Sequence, residues 1–314
     1  MTDILELLWN TPTASGAEHG VVTRLAEALA DCTDSCSVDA VGNLIAVKRA
    51  AAAENAKKIA LFCAIDAPGL IVTFLEDTGL ARVAPLGKFD FRSACFCEVT
   101  DGTHIGILIP DSDKSDSSVT AHVDFGFADA DAASQHLHPG DVLCFCPAAL
   151  SLQNEKRYAA GLGNKLCAAA LAQTARTVER LREYELDFVF CAQTALGNRG
   201  AYQAAFAVKP DLAIGLEPYE AQTPGILMLD RSLVCDPTLT RALQDTASQS
   251  GTELTPFVGA DTVSDASRVQ CAGNGCATGV LLMPIQQKGT VREGADLSHA
   301  RTFVNLTVRF LRSR

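Results

Sequence analysis

The chain has 314 residues, 48% of them hydrophobic and 20% charged, with 37 acidic against 26 basic side chains and a net charge of −11. Such acidity, with no basic stripe interleaved with aromatics, excludes a nucleic-acid partner, and no apolar run reaches the ~18 residues of a bilayer span. The apolar content excludes disorder and predicts one large domain or two of ordinary size. The opening Met1–Glu6 is acidic and amphipathic, unlike a secretion signal, so the expected location is the cytoplasm.

In chain order, Val21, Val22, Leu25, Ala26 and Leu29 carry the helical period, predicting a helix over Ala17–Asp31 with Ser15 and Glu18 at capping-box spacing. A turn at Val41-Gly42-Asn43 leads to a strand at Leu44–Lys48, and a buried strand at Ile59–Ile65 stops at Asp66-Ala67-Pro68-Gly69. From Leu70 to Ala159 short strand-like runs (Leu70–Leu75, Ala94–Val99, Ile105–Ile109, Val119–Phe125, Val142–Cys146) alternate with Gly, Pro, Asp and Ser turns. That texture predicts a small β-rich unit, in the form of a barrel. Helical texture returns at Asn164–Glu183. Then come strand Leu186–Ala192, helix Gly200–Ala207, strand Leu212–Leu216, helices Pro237–Ser250 and Asp265–Cys271, strand Gly279–Pro284 and helix Leu297–Leu311. The prediction is an α/β domain with a mixed sheet flanked by helices, built from 1–69 and 160–314, interrupted by a β domain over 70–159.

Twelve cysteines in a chain of this size invite a metal or disulfide reading. Cys95/Cys97 and Cys144/Cys146 share i, i+2 spacing, which places each pair on one strand face and permits a four-cysteine zinc site. Small buried hydrophobes are the favoured reading, because structural zinc ligands come from C-x2-C knuckles and the chain has none.

The chemistry concentrates after the strand ending at Phe190, where the chain reads Cys191-Ala192-Gln193-Thr194-Ala195-Leu196-Gly197-Asn198-Arg199-Gly200-Ala201. Strand ends followed by glycine turns are where open α/β sheets place their sites. The segment resembles the Gln-Glu-Glu-x-Gly-x-x-Gly-Ala motif of the tetrahedral (TET-type) glutamyl and deblocking aminopeptidases. Pro12 with Ser15-Gly16-Ala17-Glu18, Asp39-Ala40-Val41-Gly42-Asn43-Leu44, and Asp265-Ala266 followed by Pro284 and Glu293 resemble further family motifs, in family order. The resemblance implies the zinc-aminopeptidase fold, with an inserted β domain through which family members assemble into homo-oligomers.

Family members hold two divalent ions, zinc or cobalt, ~3.5–4 Å apart, which activate water and polarise a peptide carbonyl. The resemblance maps the five ligand positions and the base onto this chain. Ala64 stands for the first His, Gly163 for the bridging Asp, Ala195 for the second Glu, Glu217 for an Asp, and Gly289 for the last His; Thr194 stands for the catalytic base. Only Glu217 retains a donor side chain, and Asp66 keeps the position that orients the lost first His. No cofactor is therefore predicted. Glu217 also reads as a hydrogen-bonded strand-end carboxylate, Asp66 as a cap on the Pro68-Gly69 turn, and Thr194, with no neighbouring base in sequence, as structural. Three functions follow: a pseudoenzyme with a binding or structural role, an active hydrolase using relocated or borrowed ligands, or a binder of a small anion through Lys165 and Arg199. The implied partners are a second copy of the chain, and a peptide or small anion.

Overall fold

The longest β-branched and aromatic runs become the inner strands of one large sheet, and helices cover both of its faces. A computed structural model describes residues 2–52, 55–111, 121–146, 149–259 and 263–314. The chain opens with α1 (Thr2–Trp9), α2 (His19–Leu29), β1 (Ser35–Val38), β2 (Leu44–Lys48) and β3 (Lys57–Ala64). The next stretch holds β4 (Gly69–Leu75), β5 (Ala81–Leu86), β6 (Glu98–Thr100), β7 (Ile105–Pro110), β8 (Ala121–Asp124), α3 (Ala130–Ser134) and β9 (Val142–Phe145). A hairpin, β10 (Leu150–Ser151) and β11 (Lys156–Ala159), leads to α4 (Leu162–Thr177), β12 (Tyr184–Cys191), α5 (Arg199–Val208) and β13 (Leu212–Glu220). The chain closes with β14 (Gly225–Asp230), α6 (Pro237–Gln249), β15 (Thr255–Gly259), α7 (Ala266–Gln270), β16 (Ala277–Ile285), β17 (Glu293–Asp296) and α8 (Ser298–Arg312).

The large sheet runs β1-β2-β12-β3-β13-β16-β14-β15. Its centre, β12-β3-β13-β16, is parallel, and antiparallel pairings join it to β2 and β14. Helices α1, α2, α4, α6 and α8 bury one face around Phe188, Phe190, Phe303 and Phe310. The smaller α5 and α7 cover the other over Phe62, Val189 and Val280. Burial on both faces explains why these strands read as continuous apolar runs.

Strands β4-β5-β8-β7-β6-β9 close into a six-stranded antiparallel barrel with its own core. Closure leaves no open edge, and so short strands of modest hydrophobicity suffice. The hairpin β10–β11, within the stretch read as inserted, pairs through β11 with β17 and not with the barrel.

Local differences have identifiable causes. The first long helix starts at His19, because Glu18 turns its carboxylate to the Gly16 and Gln193 amides (2.9 and 2.8 Å) instead of capping the helix. The expected strand Ala94–Val99 is a 3-10 turn over Phe91–Ala94, capped by Asp90 accepting from the Arg92 amide, and only β6 is extended. Cys95 and Cys97 therefore share no strand face, and their thiols bond back to the carbonyls of Phe91 and Ser93. Among the described residues no three His, Cys, Asp or Glu side chains are grouped to hold a metal. The beginning of the expected strand Val119–Phe125, at 119–120, lies outside the described residues. Strands β14 and β15 were not expected; Ile226, Leu227, Met228 and Leu229 are the apolar signal that marks the first.

Candidate functional site

The central parallel strands all end at one rim of the sheet. There a cleft of about 330 Å³ opens, bordered on the barrel side by Gly87 and Lys88. The rim is held by the motif residues. Asn43 is fully buried; its Nδ2 donates to Asp39 Oδ2 (2.6 Å) and the Gly200 carbonyl (3.0 Å), and its Oδ1 accepts from the Ala192 amide (2.8 Å). Gly200 is required at this crossing, since a Cβ there would stand 2.1 Å from the Ala192 carbonyl oxygen. Gln193 adopts a left-handed conformation (φ 52°), with its amide donating to Glu18 and its side chain to the Val41 carbonyl. The Pro12–Glu18, Asp39–Leu44 and Cys191–Ala201 segments thus form one hydrogen-bonded frame.

Six of the selected positions meet in the cleft: Ala64, Asp66, Thr194, Ala195, Glu217 and Gly289. Gly163 lies behind the wall, where its amide donates to Glu293 Oε2 (2.9 Å). A Cβ on Gly163 would come within 2.5 Å of Pro218 Cβ and 3.0 Å of Ile285 Cδ1, so the volume a longer side chain needs is filled. Gly289 has open space around it but a left-handed backbone (φ 79°), which a His adopts only with strain. Ala64 and Ala195 offer no donor, and Ala195 Cβ lies only 2.8 Å from where a Cβ on Gly87 would stand.

The carboxylates of the cleft are engaged with the protein itself. Asp66 Oδ1 accepts from the Thr194 hydroxyl (2.6 Å) and Oδ2 from the Ala195 amide (2.9 Å). It therefore holds the turn after β12, not the Pro68-Gly69 turn expected of it. Burial raises its pKa against those bonds. Glu217 Oε1 accepts from the Ala266 amide at 3.2 Å, and burial pushes its pKa up to about 7. Asp265 is also buried beside it, its pKa driven upward by desolvation first and by Glu217 second. Glu293 accepts from the Gly163 amide and, at 3.3 Å, from the Gly289 amide; burial raises it too. A dinuclear centre needs several ionised or imidazole donors converging on each ion. The residues present do not fit one.

The cations expected to create a positive cleft are elsewhere. Lys165 is buried within α4, where desolvation lowers its pKa to about 8, and it does not line the cleft. Arg199 is exposed in the first turn of α5 and does not line it either. Among the described residues the lining cations are Lys88 and Lys288, with Lys288 Nζ donating to the Pro218 carbonyl (2.6 Å). Four acidic groups, Asp66, Glu217, Asp265 and Glu293, share the same walls. Asp265 and Glu293 line the cleft although the sequence did not single them out as site residues; both stand in motifs that located the others. A second pocket of about 190 Å³, walled by Tyr219, Leu227, Phe257, Val263 and Leu282, adjoins the cleft through Glu217 and Lys288.

Residues 42–306 match the family model for M42 glutamyl aminopeptidase. A putative aminopeptidase of Acetivibrio thermocellus is 26% identical over 98% of this chain and 97% of its own length. The lysyl aminopeptidase of Pyrococcus furiosus is 24% identical over 94% and 92%. Among solved structures, the aminopeptidase APDkam598 from Desulfurococcus kamchatkensis superposes with a TM-score of 0.92 at 19% identity, covering 100% of this chain and 95% of that one. The Pyrococcus horikoshii TET1 peptidase, described as assembling into a tetrahedron or a large octahedral shell, superposes at 0.85 with 22% identity over 99% and 98%.

Proposed function

Because the chain belongs to the M42 glutamyl aminopeptidase family and yet carries no donor at Ala64, Gly163, Ala195 and Gly289, we propose that it is a metal-free member without peptidase activity, kept for binding or structure. One observation carries this reading. The space beside Gly163 is occupied by Pro218 and Ile285, so the site is repacked as well as stripped of ligands. The hydrogen bonds of Thr194 and the Ala195 amide to Asp66 support it, since they tie together groups that in the family serve the metals. Elemental analysis of the purified protein, with a peptide-hydrolysis assay, tests the proposal. The expected result is no stoichiometric zinc or cobalt and no release of N-terminal residues. Two ions per chain with release of amino acids overturn it.

A ligand of the cleft meets carboxylic groups more often than ammonium groups, which favours a neutral or cationic moiety, such as a peptide N-terminus, over the small anion. Assembly of copies through the barrel is part of the proposal, supported by exposed Phe96, Ile105 and Ile107 on the barrel. Residence in a reducing cytoplasm is supported by all twelve cysteines being unpaired.

A further inference from the structure

A polar pocket of about 210 Å³ lies between the β11–β17 ladder, the end of β16 and the start of α8, and shares no lining residue with the cleft. Lys156 and Asp296 face each other directly in the β11–β17 register, and both line it. Opposite charges in that position ordinarily pair, yet neither takes part in an ion pair among the described residues. Burial opposes the Asp296 charge, but the Ser298 hydroxyl and amide, with His299 and Arg301 nearby, outweigh it and hold its pKa below the usual range. Burial lowers the pKa of His299 while the neighbouring Asp296 raises it, with burial the larger effect, and its Nδ1 is buried without a hydrogen-bond partner among the described residues.

The far wall is a chain of polar side chains. The Tyr158 hydroxyl donates to Gln286 Oε1 (3.2 Å), and Gln286 Nε2 donates to Gln222 Oε1 (3.2 Å). Gly294 permits this wall: a Cβ there would stand 2.5 Å from the Tyr158 ring. The pocket therefore offers a separated cation and anion and an amide wall.

We propose that this pocket is a second ligand site, taking a small α-amino acid in its zwitterionic form. The ligand carboxylate pairs with Lys156, its ammonium with Asp296, and a polar side chain lies along Gln222 and Gln286. A molecule with one charge satisfies only half of the pair and leaves the other side chain unmatched.

Isothermal titration calorimetry of the full chain with L-glutamine tests this, with acetate and ethylamine as single-charge probes. Glutamine is expected to give saturable binding, and neither control to do so. Lys156→Met and Asp296→Asn are each expected to weaken glutamine binding by about tenfold or more, since each removes a charge-assisted bond. Both residues lie at the surface of the ladder, and an unchanged melting temperature of each unliganded variant verifies folding. Absence of saturable heat with glutamine overturns the proposal. So does binding that survives both substitutions, or that Glu217→Gln abolishes while these leave it intact, which places the ligand in the cleft. None of these outcomes bears on metal content, so this proposal and the loss of the metals stand or fall separately.

Discussion

Gly163→Ala probes whether the site has been repacked. The added Cβ would sit 2.5 Å from Pro218 Cβ and 3.0 Å from Pro218 Cγ and Ile285 Cδ1, against ~3.5–4.0 Å for carbon atoms at rest. Gly163 is in the first turn of α4 and Pro218 in β13, so relief requires shifting a helix against the central sheet. Overpacking of this kind costs ~1–3 kcal/mol, and a rigid proline ring places the site at the upper end. The better helix propensity of Ala returns up to ~1 kcal/mol, leaving a net loss of ~2 kcal/mol. Replacing Pro218 by Gly removes the atom that clashes. In that background the same Gly163→Ala change should be neutral or slightly stabilising, a coupling of ~2–3 kcal/mol in a double-mutant cycle. Urea denaturation of the four proteins measures it. Additive effects, or a Gly163→Ala variant as stable as the parent, would refute the claim that Pro218 has taken the space beside residue 163.

The remaining predictions concern buried acids and metal. Asp187 lies in β12 with Oδ2 unpartnered, and burial raises its pKa from 3.8 to about 7. An acid whose folded pKa is raised exerts no penalty below pH 3.8; the penalty grows as pH rises towards 7, reaching ~4 kcal/mol above it. Asp187→Val should therefore stabilise the protein, by ~2–3 kcal/mol more at pH 8 than at pH 5; a gain independent of pH contradicts the assignment. Thr194→Val deprives the buried Asp66 of a donor and should lower stability by ~1–3 kcal/mol, with Thr194→Ser restoring it; an unchanged melting temperature for the valine variant argues against the Asp66–Thr194 tie. Zinc added to chelator-treated protein should not move the melting temperature, whereas a genuine site at a hundredfold excess over its Kd would add ~2.7 kcal/mol.

The fold was legible where local signals and burial agree. Leu44–Lys48, Lys57–Ala64 and Tyr184–Cys191 are apolar because both sheet faces are covered, and they were found with small errors at their ends. The Cys95–Cys97 stretch misled because its alternation resembles a strand, while the Asp90 cap turns the backbone into a 3-10 turn. Lys165 and Arg199 misled for another reason. Their nearness in sequence to ligand positions says nothing about which way a helix turns them, and one is buried while the other lies outside the cleft.

Family membership and the lack of a donor side chain at Ala64, Gly163, Ala195 and Gly289 follow from the order and identity of residues alone, because a side chain without a donor atom lacks it in any conformation. The filling of residue 163's space by Pro218, the capture of Asp66 by Thr194, the gathering of Asp265 and Glu293 at the cleft and the placing of Lys156 opposite Asp296 without an ion pair among the described residues were decided only by tertiary structure. Each is a relation between segments distant along the chain, and distance, burial and protonation are properties of the packed molecule.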